Sequence, residues 1–72
     1  MYANLIAVMA QKNVSVERLA KAIHKHRNTA SNKLYGDGEF TYDEAMVISD
    51  ELFPEYRPSY LFYRVPSNTV IQ

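Results

Sequence analysis

Seventy-two residues with no cysteine and a formal net charge of zero describe one small domain, and they exclude disulfides and thiolate metal sites. A chain this short buries only about 60% of its unfolded surface, so it needs efficient helix packing or self-association. No apolar run approaches the roughly 20 residues that span a membrane, and no basic region precedes the N-terminal apolar residues as it would in a signal peptide; a cytoplasmic protein is expected.

The elements read as five short helices. Tyr2, Leu5, Ile6 and Met9 fall on one face of a first helix, about Tyr2 to Gln11. Asn13, able to take a left-handed turn, ends it. Ser15 is an N-cap for a second helix, about Val16 to Ile23, whose inner stripe is Leu19, Ala20 and Ile23. The turn His24-Lys25-His26 leads into a third helix, Arg27 to Tyr35, with Ala30 and Leu34 as its inner positions. Gly36 is expected to close that helix with a positive φ. Thr41-Tyr42-Asp43-Glu44 has the Thr-x-x-Glu pattern of a capping box and opens a fourth helix, Tyr42 to Leu52, with Ala45, Ile48 and Leu52 inward. Phe53-Pro54 stops it, and Arg57-Pro58 introduces a last short helix, about Ser59 to Tyr63. Residues 67–72 are expected to be a flexible tail.

The third predicted helix has little to bury and much to offer. Arg27, Asn28, Thr29, Ser31, Asn32 and Lys33 are cationic or hydrogen-bonding side chains, the types that read base edges and hold phosphates. Charge is sorted along the chain as well. Residues 1–36 carry six Lys and Arg against Glu17 alone, a balance of +5; residues 37–72 carry Arg57 and Arg64 against seven carboxylates, a balance of −5. A basic face set against an acidic back would orient such a domain towards a polyanion. The two histidines of the turn stand at i, i+2 with no cysteine or carboxylate close by in sequence, so no metal site is expected there.

Leu19-Ala20-Lys21 with Ile23, then Thr29-Ala30, then Leu34 and Gly36, resemble the helix-turn-helix of the lambda-repressor-like family of phage repressor and Cro-type regulators. Gly38-Glu39-Phe40-Thr41-Tyr42-Asp43-Glu44-Ala45 resembles the start of the fourth helix in many phage members. The likeness covers roughly residues 2–64; the family usually has glycine where this chain has His24, an aliphatic residue at Lys25 and often glutamine at Val16. The resemblance implies an all-α, lambda repressor-like bundle of five helices over residues 1–66, with the helix-turn-helix at 15–36. It implies a transcriptional regulator that binds a double-stranded operator as a homodimer, with helix 27–35 in the major groove.

On that docking, Arg27, Asn28, Ser31 and Asn32 are the candidate base readers, Arg27 suiting guanine and Asn28 adenine. Lys25, His26, Thr29, Lys33 and Tyr35 are candidates for phosphate, with Tyr35 equally able to cover the core edge. Phe53, Tyr56, Tyr60, Phe62 and Tyr63 crowd into eleven residues; about half are expected inside the core and the rest, from Tyr56, Tyr60, Phe62 and Tyr63, at a twofold contact. The rival reading is a protein-interaction module on the same scaffold, as in antitoxins that bind their toxins. No nucleophile–base–acid set or phosphate loop is visible, so neither enzymatic activity nor a cofactor is expected, and no second domain suggests a small-molecule effector.

Overall fold

The computed structural model describes residues 1–64, so the expected tail at 67–72 lies outside the described residues. Five helices follow in order: α1 (Ala3–Lys12), α2 (Val16–Ala22), α3 (Arg27–Tyr35), α4 (Tyr42–Leu52) and α5 (Pro58–Leu61). There is no strand among the described residues, and no helix is long and apolar enough to cross a membrane. The caps sit where short-range chemistry places them. The Ser15 hydroxyl accepts the Arg18 amide at 3.1 Å, which satisfies one of the otherwise orphaned donors at the start of α2. At α4 the capping box is complete: the Glu44 amide donates to Thr41 Oγ1 at 3.1 Å, and the Thr41 amide donates to Glu44 Oε1 at 3.0 Å. Pro58, whose missing N–H costs nothing at a first helical position, opens α5.

Every helix commits at least one side chain to a single core. Leu5 and Val8 of α1, Leu19 of α2, Leu34 of α3, Ile48 of α4 and Leu61 of α5 are fully buried, together with Phe53 just past α4. Each such side chain contributes roughly 1.5–3 kcal/mol by leaving water. α2 packs on α3 and α4, while α5 bridges α1 and α4. The inner face of α1 turns slightly from the expected one: Val8 is buried with Leu5 and Met9, and Ile6 is only half-buried.

Two expectations about helix ends are corrected. Gly36 does not take a positive φ; its φ is −108°. It is glycine for clearance, since a Cβ there would stand 2.8 Å from the Asn32 carbonyl oxygen. α5 runs from Pro58 to Leu61 rather than to Tyr63, with Phe62 as its C-cap at φ −103°. The Tyr2, Phe40 and Phe62 rings form a mutual cluster, with centroids 5.1–5.8 Å apart and two of the three contacts edge-on. The Phe40 amide is buried and donates to the Tyr2 hydroxyl at 3.1 Å, so this cluster also satisfies a backbone donor. Phe62, expected at a twofold contact, is partly buried and packs within the monomer.

Candidate nucleic-acid interface

The residues between α2 and α3 form a tight, specified turn. The Lys25 amide reaches back to the Ala20 carbonyl at 3.0 Å and the His24 amide to Lys21 at 3.2 Å, the bond pair of a Schellman helix ending. That ending needs one residue in the left-handed region, and His24 supplies it at φ 58°. A side chain with a Cβ is strained there, which is why glycine is the usual occupant. Asn13 closes α1 with the same pair of bonds and the same φ.

Past the turn the surface is open. All six residues from His24 to Thr29 are exposed, and no side chain caps the first amides of α3. Ala30 and Leu34 are fully buried, which fixes the rotation of the helix. Arg27, Asn28 and Asn32 consequently face outward, with Thr29 and Tyr35, while Ser31 lies half-buried at the margin of the stripe. Tyr35 is 51% exposed, which places it on the surface rather than over the core edge.

Arg27 Nε lies 2.6 Å from Glu17 Oε2, and both side chains remain more than half exposed. The Glu17 carboxyl is held below the usual range first by its own backbone amide and then, against some burial, by the Arg27 charge. An exposed pair of this kind contributes little and exchanges readily with another partner.

Lys33, expected as an outward phosphate contact, is instead largely covered and paired within the chain. Its ammonium stands 2.8 Å from Glu44 Oε1, with only 18% and 11% of the two side chains exposed. It also lies 5.9 Å from the centre of the Phe40 ring, a favourable position for a cation. Glu44 in turn is not part of an outward acidic back. Burial pushes its carboxyl up, but the Lys33 ammonium, the Thr41 amide and the nearby Lys25 charge outweigh this and hold it below its ordinary 4.5.

Four lysines and arginines enter no ion pair among the described residues: Arg18, Lys21 and Lys25 on α2 and the turn after it, which are the ones placed to meet an anion at α3, and Arg57 at the start of α5. Arg18 and Lys21 did not figure among the expected phosphate contacts. The one sequence signal for them is their i, i+3 spacing on the side of α2 opposite Leu19 and Ile23. With His24 they border an open depression of about 450 Å³, whose far wall is Glu51 and Leu52 of α4. The acidic residues are therefore not all set behind the basic ones: Glu51 and Asp43 meet the basic flank of α2 along the α2–α4 seam. Lys12–Glu55 and Lys33–Glu44 pair the basic first half of the chain with the acidic second half directly.

At the other end, Tyr56 and Tyr60 stack with centroids 6.0 Å apart, and Tyr60 and Tyr63 are 48% and 63% exposed. Asn4 Nδ2 donates to the Tyr60 carbonyl at 2.9 Å and ties this segment to α1. Compared with known proteins, the chain matches no family model, no curated protein and no solved structure.

Proposed function

We propose that this chain is a sequence-specific DNA-binding regulator of lambda repressor-like fold, of phage repressor or Cro type, that binds a pseudo-palindromic operator as a dimer. The observation that carries the reading is α3 itself. It is a helix anchored by a buried Ala30–Leu34 stripe, with Arg27, Asn28 and Asn32 exposed on its outer side, held after α2 by a tight turn in which His24 takes the conformation that glycine favours. In this reading Arg27 leaves Glu17 for a guanine edge, Asn28 and Asn32 reach neighbouring bases, and Ser31 stays marginal. Arg18, Lys21, Lys25 and His26 lie at phosphates, with Thr29 and Tyr35 as neutral hydrogen-bonding neighbours. The exposed Tyr60 and Tyr63, beside the stacked Tyr56, form the twofold contact.

Three such cations per protomer give a dimer about 6 phosphate contacts, so log K for a random duplex should fall against log salt with a slope of roughly −5. Selection from a random duplex library should then yield a paired motif. Arg27→Ala should lose roughly tenfold to a hundredfold affinity on the selected duplex and relax the preference at one base position. A slope near zero removes this reading. It would favour the alternative of an antitoxin-like interaction module, for which the exposed tyrosines Tyr60 and Tyr63 and the mixed-charge α2–α4 seam provide a surface.

A further inference from the structure

Lys33 is the basic residue of α3 that does not face outward. Its ammonium and the Thr41 amide converge on the same oxygen, Glu44 Oε1, at 2.8 and 3.0 Å. The pair is largely covered, with Phe40 beneath it and Gly38 so close that an added Cβ would stand 3.2 Å from the Lys33 Cα and Cγ. One carboxylate oxygen thus joins the second half of α3 to the N-terminus of α4. At the opposite end the side-chain ion pair is the exposed Arg27–Glu17 contact, and α3 is held there by the turn from α2 and by the buried Ala30. α3 packs on α2, and Lys33–Glu44 is the covered polar contact that ties it to α4 as well.

We propose that Lys33 and Glu44 are a positioning pair that sets the angle of α3 against α4, and so governs sequence discrimination without touching DNA. What the positioned face contacts rests on the DNA-binding reading above; the clip itself does not. Three variants separate the possibilities. Lys33→Met removes the clip and keeps the cap. Glu44→Gln keeps an oxygen for the Thr41 amide and removes the charge. Thr41→Ala removes the capping hydroxyl and keeps the clip.

Amide hydrogen exchange on the three folded variants reads the clip directly. Exchange should quicken at least severalfold in the second half of α3 for Lys33→Met and Glu44→Gln, whereas for Thr41→Ala it should quicken in the first turn of α4. Unchanged α3 exchange in Lys33→Met overturns the proposal. Binding of Lys33→Met to the selected and a scrambled duplex reads the consequence. The affinity ratio should fall about tenfold while the salt slope stays within about 0.3 of the wild type. A slope shallower by about 0.9 for each protomer, with the ratio preserved, would make Lys33 a phosphate ligand and overturn the proposal. If the wild-type protein binds no duplex, the DNA reading fails, and the exchange pattern alone supports or overturns the clip.

Discussion

The two ends of α3 are held in opposite ways. At its first turn the side chains of Arg27, Asn28 and Thr29 are exposed, no side chain caps the helix, and the one ion pair is half in water. At its second half, Leu34 is fully buried, its carbonyl accepts the Tyr2 amide at 3.1 Å, and Lys33 is fastened to Glu44 beneath a glycine. A helix that must offer polar groups to a partner cannot also commit them to its own fold. On the DNA-binding reading proposed above, the two demands are separated by position, with polar groups exposed at one end of α3 and committed to the fold at the other.

Removing the anchor should produce the largest effect. Leu34→Ala takes a fully buried side chain from the point where α3 meets the core and leaves a cavity. It should destabilise the domain by about 2–5 kcal/mol, read as a shift in the urea unfolding midpoint. Ala substitution at Asn28, on the exposed end, should leave that midpoint nearly unmoved. Equal losses at both positions would mean that the two ends are not mechanically distinct.

The charged part of the anchor comes next and carries a pH signature. Glu44 is held below its ordinary 4.5, so its pair adds stability that is fully present above about pH 4.5 and is lost as the pH falls through the lower folded-state value. At neutral pH, Glu44→Gln should cost about 1.5–3 kcal/mol, the scale of a hydrogen bond to a charged group. That cost should shrink towards zero below the folded-state value, where the wild-type carboxyl is itself protonated. Glu17→Gln, at the exposed end, should leave the acid limb of the stability curve little changed, because water and salt screen its pair. Unfolding titrations of the two variants between pH 7 and pH 3 compare the ends directly.

The sequence disclosed most of the elements and only part of the anchor. Ser15, Thr41-Glu44 and the Ala30–Leu34 spacing are short-range signals whose partners lie within four residues, and the structure has them as read. The contacts that the sequence did not disclose join residues far along the chain. Lys33 meets Glu44 only because the α3–α4 loop folds back, and Phe62 finds its ring partners Tyr2 and Phe40 across the whole domain. Before those partners are known, a lysine on a polar helix reads as a surface cation and a phenylalanine in a dense aromatic run reads as interface. Gly36 and His24 exchange roles for another reason. Composition marks glycine as the residue free to take positive φ, yet here Gly36 is needed for clearance and the left-handed position falls to histidine.

That exchange sets up the smallest effect, which concerns how the free end is joined to α2. His24 holds φ 58° so that its amide and the Lys25 amide can close α2 onto Lys21 and Ala20. Its Cβ strains that conformation, and its side chain is exposed, so removing it sacrifices little packing. His24→Gly should therefore stabilise the domain by about 0.5–1 kcal/mol, the relief of strain being partly offset by the greater freedom of glycine in the unfolded chain. His24→Ala keeps the Cβ and should yield no such gain. Asn13, at the same φ, is the internal control: asparagine tolerates the left-handed region better, so Asn13→Gly should gain less than His24→Gly. If His24→Gly is neutral or destabilising in urea unfolding while Asn13→Gly stabilises, the histidine ring makes a contact in the turn that outweighs its backbone strain, and the free end of α3 is more firmly held than its exposure indicates.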